Sequence, residues 1–280
     1  MSKQLSEDTL ATYRKATFRI SRGKRLKTLE DAAAFVEERG FITLWPIKGI
    51  DLPSLWKAVA GDRPVASAHD DPGHITWGWK DQMLDKRRWY YGKLLRGKAT
   101  IVSLEVLPYF YALSERVAEL DDYRLAYEDG RLTHEAYRVA EALFHHGAQN
   151  TIQLRRRAQL SSPSSKSRFD KALTDLQRGL WLIPIGVAEA GAWRYAFTYE
   201  LFERWFPNVA KQARGISPAD ARSHLTGLYL DSVGVSTPSA VGKLFGWRNA
   251  DVNAALERNS ELARAQPLED GRWKSARIRS

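Results

Sequence analysis

The chain has 280 residues, 44% of them hydrophobic and 27% charged, the make-up of an ordinary globular protein of about two domains. No apolar run approaches the roughly 18 residues of a membrane span, the start MSKQLSED lacks the apolar segment of a signal peptide, and a cytoplasmic protein is expected. With no cysteine, disulfides, thiol nucleophiles and Cys-type zinc sites are excluded. Lys and Arg outnumber Asp and Glu by 43 to 33, for a net charge of +10, which favours polyanions, nucleic acid first among them.

The charge is segregated along the chain. Residues 13–27 hold seven bases (Arg14, Lys15, Arg19, Arg22, Lys24, Arg25, Lys27) and no acid. That run reads as a flexible DNA-gripping arm or as a solvated helix face. Residues 115–135 carry seven acids against three bases, and residues 151–171 six bases against Asp170 alone.

In chain order, Thr28 and Asp31 form a capping pair for LEDAAAFVEER, which Gly40 ends. FITLWPI then reads as buried, and DLPSLWKAVAG as a second helix with Pro53 near its start. HDDPGHITWGWKD follows at residues 69–81. Its Asp-Pro-Gly suits a tight turn. From Ile75 the alternation predicts a strand with Ile75, Trp77 and Trp79 on one face and Thr76, Gly78 and Lys80 on the other. His69, Asp70, Asp71 and His74 lack a metal-ligand spacing, and the turn scatters them, so no metal and no cofactor is expected. KRRWYYGKLLRGKATIVSLEVLPYFYAL continues as strand and helix. Paired tryptophans are ordinary core packing. They are also what a base-holding cup uses. Here Trp77, Trp79, Trp89, Tyr90 and Tyr91 lie beside Lys80, Lys86, Arg87 and Arg88.

The second half repeats itself. Thr133 caps THEAYRVAEALFHHG, Thr151 caps TIQLRRRAQL, and SSP opens a third helix whose Phe169, Leu173 and Leu176 face inward. LWLIPIGV and WRYAFTYEL, joined by AEAGA, read as a hairpin. The order returns after Ser217: a capped helix closed by Gly234, then TPSAVGKLFG, NADVNAALERN, and two short strands around EDG. Three helices plus a hairpin is the winged-helix plan, whose third helix enters the major groove. Arg155, Arg156 and Arg157 before that helix, and Lys166, Arg168 and Lys171 on it, suit phosphate contacts, with Arg248 in the last module. His145 and His146 at a helix end are expected to meet terminal carbonyls.

FVEERGFITLWPIKGIDLPSLWKAVAG, HDDPGHITWGWKD, WYYGKLLRGKAT, PYFYAL and AGAWRYAF together resemble the winged-helix family of bacterial crosslink-repair DNA glycosylases of the YcaQ and AlkZ type, and within it the shorter AlkZ-related branch. The resemblance covers roughly residues 29–259. It implies a mainly α fold with small β-hairpins (α+β), with tandem winged helices around a DNA-binding concavity. It also implies a monomer acting on double-stranded DNA and hydrolysing the N-glycosidic bond of bulky alkylated or crosslinked bases. The modules are expected at 1–120, 131–206 and 216–280. The family's Gln-x-Gln or Gln-x-Asp, which positions water, falls here on Thr43-Leu44-Trp45, so that motif carries no catalytic residue over. Glycosidic cleavage still needs a group that stabilises an oxocarbenium-like state. The replacement carboxylates are Asp70, Asp71 and Asp81, with Trp45, His69, His74, Trp77, Trp79 and Lys80 as pocket residues. The alternative is a non-catalytic DNA binder, a regulator or damage-recognition protein. No phosphate loop, Ser-His-Asp spacing or GxSxG elbow is present.

Overall fold

A computed structural model describes residues 6–114, 116–117 and 119–278. Helix α1 (Glu7–Thr17) is capped by the Ser6 hydroxyl. It is neither a free arm nor simply a solvated face. Tyr13 donates its hydroxyl to the Asp231 carbonyl at 2.7 Å, Thr17 to Ser232 at 2.7 Å, and Arg14 to Val233 at 2.9 Å and Val235 at 3.2 Å. The carbonyls of Asp231, Ser232 and Val233 end a helix near the other end of the chain, where intrahelical partners run out and positive charge is favoured, and that of Val235 lies in the strand that follows.

The first unit follows. Helix α2 (Leu29–Arg39) opens on the Thr28/Asp31 capping box and leads into β1 (Phe41–Thr43). Helices α3 (Leu55–Ala60) and α4 (Ile75–Met83) precede β2 (Trp89–Gly92) and β3 (Thr100–Ser103). Strand β3 lies in the middle, antiparallel to both neighbours. Short helices α5 (Leu107–Tyr111) and α6 (Tyr123–Glu128) lead to a second unit. It comprises α7 (His134–His146), β4 (Gln149–Asn150), α8 (Thr151–Arg157), α9 (Lys166–Arg178), β5 (Leu182–Ala188) and β6 (Ala196–Leu201). After α10 (Phe202–Trp205) and α11 (Val209–Ala213), the third has α12 (Pro218–Val233), β7 (Val235–Ser236), α13 (Pro238–Phe245), α14 (Asn249–Glu261), β8 (Ala265–Pro267) and β9 (Trp273–Ser275). The order helix, strand, helix, helix, strand, strand thus occurs three times, each time with the last strand central. Among the described residues no helix is long and apolar enough to cross a membrane.

Three expectations need correction. Residues 75–80 are the start of α4, not a strand. Burial follows helical spacing there: Thr76, Trp79, Lys80 and Met83 face inward, while Ile75 and Trp77 are exposed. Asn150, not Thr151, caps α8, through a capping box with Gln153. His145 meets the Glu141 carboxylate one turn back at 2.9 Å, not a terminal carbonyl.

The core is continuous between units. Phe41, Val102 and Val106 pack in one cluster with Leu225, Tyr229, Leu230 and Val233 of α12, with Leu180 of the second unit and with Phe202 of α10. Val139, Leu143, Leu154, Phe169 and Leu176 form a second cluster, and Phe35, Ile42, Leu44, Leu55, Trp79 and Met83 a third. A helical Gly78 has a direct consequence, because a methyl added there meets only the Gln82 amide nitrogen at 3.8 Å. Gly78→Ala is expected to raise stability by about 0.5–1 kcal/mol in urea unfolding. A loss would count against a helix at this position.

Candidate nucleic-acid interface

The turn before α4 is built by Asp71. Its carboxylate accepts from the Gly73 amide at 2.7 Å and takes a two-pronged contact from Arg63 at 2.6 and 2.9 Å. The Arg63 guanidinium also lies 4.9 Å from the Trp56 ring centroid. The Arg63 hydrogen bonds, followed by the Gly73 amide, hold Asp71 below the usual carboxylate range. His74 faces the Ala66 carbonyl at 3.0 Å and packs on Trp56, whereas His69 and Asp70 are exposed. Among the described residues no three His, Cys, Asp or Glu side chains are placed to hold a metal.

Helix α4 then carries Trp77, Lys80 and Asp81 to the second unit. The Lys80 ammonium is fully buried, 2.7 Å from Asp81 Oδ1 and 2.8 Å from the Tyr195 hydroxyl. Tyr195 in turn donates to Asp81 at 2.9 Å. Four aromatic rings surround the ammonium: Trp77 at 4.0 Å, Phe197 at 4.6 Å, and Tyr91 and Tyr195 each at 5.4 Å. Burial lowers the Lys80 pKa, outweighing the Asp81 carboxylate that raises it. Burial and that same carboxylate raise Tyr195. Trp77, 36% exposed, stacks on Trp45 with centroids 5.4 Å apart. The Asp81 side chain, 22% exposed, lines a cleft of about 810 Å³ between α4 and β5 that Lys86, Arg88 and Val187 also line.

Of the pocket residues expected from sequence, the structure gathers Trp45, Trp77 and Lys80 around Asp81. Trp79 turns into the core, and His69 and His74 stay with the turn. Sequence reading missed Tyr195 and Phe197 as members of this cluster. Their spacing of two before and within β6 was the available signal, since alternate strand residues share a face.

The expected DNA-contacting cations are spread more widely. On α9, Lys166 pairs with Asp170 at 2.6 Å, Arg168 with Glu135 at 3.2 Å, and Lys171 with Asp175. Arg155 ties down the following turn through the carbonyls of Leu160 and Ser162, while Arg156 and Arg157 are exposed. Arg87 lies 4.1 Å over Trp205, Arg88 is 3.9 Å from Glu37, and Arg248 is 3.2 Å from Asp251.

Short helices around three small antiparallel sheets, with a buried lysine and an aromatic cluster where the first two units meet, define a mixed α+β protein of repeated build. The family model described as AlkZ related matches residues 26–246, and the chain belongs to that family. Its fold is similar to that of the DNA glycosylase AlkZ of Streptomyces sahachiroi, with a TM-score of 0.57 and 11% identity, covering 97% of this chain and 69% of that one. No curated protein is significantly similar in sequence.

The Asp71 contacts predict a pH dependence. A carboxyl whose folded pKa is depressed adds stability above its unfolded pKa of about 3.9, and that stability is lost as pH falls through the folded value. Melting temperature is therefore expected to drop on acidification below about pH 4. In Asp71→Asn the protein is less stable at neutral pH and this part of the drop disappears. An unchanged acid profile in the variant would show that the Arg63 contact is inert.

Proposed function

We propose that this chain is a duplex-DNA-binding protein of repair type, acting as a monomer built of three winged-helix modules, residues 1–120, 131–206 and 216–280. The observation that carries the reading is α9. Each repeat has a helix in the third position, where a winged helix meets the major groove. Helix α4 carries Lys80 against Asp81, and α14 carries Arg258 against Asp251, Glu257 and Glu261. Helix α9 alone among them is net basic, with Lys166, Arg168, Lys171 and Arg178 against Asp170 and Asp175, and exposed Arg156 and Arg157 precede it. The similarity in fold to a DNA glycosylase supports the same reading.

Binding of a short labelled duplex, followed by fluorescence anisotropy at several salt concentrations, tests this. Affinity is expected to fall steeply with salt, and Arg156→Ala with Arg157→Ala together to make the slope shallower by about two. Salt-insensitive or undetectable binding would sink the proposal.

A second reading, hydrolysis of the N-glycosidic bond, is favoured by the position of Asp81. Asp71 is engaged by Arg63, Asp70 is exposed on the turn, and Thr43 and Leu44 are buried at the family's water-positioning place. Asp81 meets the Lys80 ammonium and the Tyr195 hydroxyl through Oδ1, and unlike Asp71 it lines an open cleft beside a stacked pair, Trp45 and Trp77. A carboxylate in such a place can stabilise an oxocarbenium-like state and orient water. Single-turnover incubation with a duplex carrying a bulky alkylated purine, scored as abasic sites, is expected to give product. Asp81→Asn should slow it by about a hundredfold or more, while Asp70→Ala and Asp71→Ala should act only through stability. Product formation that survives Asp81→Asn refutes this role, and tight binding without product identifies the non-catalytic alternative.

A further inference from the structure

A cavity of about 370 Å³ away from the Trp77 cluster is walled by all three units. It lies where the β2–β3 loop meets the end of α9 and the turn between α13 and α14, and its lining includes Leu94, Arg131, Asp175, Arg178, Phe245 and Trp247. The loop is held in place. Lys93 donates its backbone amide to Gln177 Oε1 at 3.1 Å and its ammonium to Thr174 at 3.1 Å, and Leu95 donates to Thr100 Oγ1 at 3.0 Å. The Trp247 ring is fixed by stacking on Phe245, with centroids 4.2 Å apart and planes 10° from parallel.

The charges point one way. Arg131 pairs with Asp129 at 3.1 Å and Asp175 is engaged by Lys171, whereas the exposed Arg178 guanidinium has no partner among the described residues. Lys93, Arg96 and Lys98 lie exposed or at the edge on the adjoining loop. A flat aromatic wall, an unmatched guanidinium and a cationic approach match one ligand chemistry: a planar base joined to a phosphate. The volume is in the range of about 300–1,000 Å³ that small ligands occupy.

We propose that this junction cavity receives a single DNA nucleotide displaced from the duplex, its base against Trp247 and its phosphate on Arg178. The proposal rests on the DNA-binding reading above. It adds a second point of contact, separate from the Asp81 cleft, at which a distorted duplex differs from a regular one.

The test compares two duplexes that differ only by one unpaired extra adenosine, at fixed salt. The wild-type protein is expected to bind the bulged duplex about tenfold more tightly, the size of one base–aromatic stack. Trp247→Ala should remove the preference and leave affinity for the paired duplex unchanged, and Trp247→Phe, which keeps a flat ring, should retain most of it. Leu94→Trp, which fills the cavity without removing its wall, should abolish the preference as well. Equal wild-type affinity for the two duplexes, or a preference that survives both Trp247→Ala and Leu94→Trp, overturns the cavity assignment while duplex binding stands. Failure of the wild type to bind either duplex overturns both readings. Deoxyadenosine monophosphate that displaces the bulged duplex at micromolar concentration would assign the cavity to free nucleotides, and so overturn its assignment to DNA.

Discussion

Each unit is closed by pairing its first strand with its last. Phe41, Ile42 and Thr43 face Val102, Ile101 and Thr100; Gln149 and Asn150 face Tyr199 and Thr198; Val235 and Ser236 face Lys274 and Trp273. Only two or three residues on the first strand make this closure, yet it fixes everything between them, namely two helices and the outer strand of the hairpin. The joint before the strand must be tight. Gly40 and Gly234 end their helices at φ of +76 and +79 and pass directly into β1 and β7, a conformation that a side chain makes costly. With the first helix and first strand so joined, the third helix of each unit has a defined place relative to its hairpin. The second unit accordingly presents α9, and the first presents α4.

What differs among the units is what the third helix meets. Lys80 on α4 is a cation without water contact, and removing an ammonium from water costs several kcal/mol even after relaxation. Asp81, the Tyr195 hydroxyl and the surrounding ring faces offset that cost. Two of these partners, Tyr195 and Phe197, belong to the second unit, so the lysine is satisfied only when the first two units are docked. The same ammonium lies 4.0 Å from the Trp77 ring centroid, so this ring shares the interface with Tyr195 and Phe197. The aromatic cluster is in this sense a product of the interface and not of either unit alone.

This dependence explains what could be read from the sequence. Local signals were sufficient for α2, α7, α9, α12 and the hairpins, because a cap, a stripe and a stop residue lie within one stretch of chain, as Thr133, Val139, Leu143 and Gly147 do. The nine residues of α4 gave no such stripe. Its inward positions include a threonine and a lysine, its midpoint is a glycine, and Trp77 and Trp79 alternate like strand residues although one is half-exposed and the other lies in the core. Tyr195 and Phe197, more than a hundred residues away, help to make Lys80 an inward residue. The role of Asp71 was hidden for the same reason, since its guanidinium partner Arg63 precedes the turn without any local pattern to mark the pair. The repeat was consequently plain in the last two units and obscured in the first.

The same geometry bears on the end of β1. Thr43-Leu44-Trp45 leaves β1 with its first two side chains buried, and the third stacks on Trp77. The strand end and α4 therefore contribute to one surface. Asp81 stands four residues after Trp77, on the same face of the helix one turn along. A carboxylate supplied by α4 thus stands beside the aromatic pair that the end of β1 helps to form.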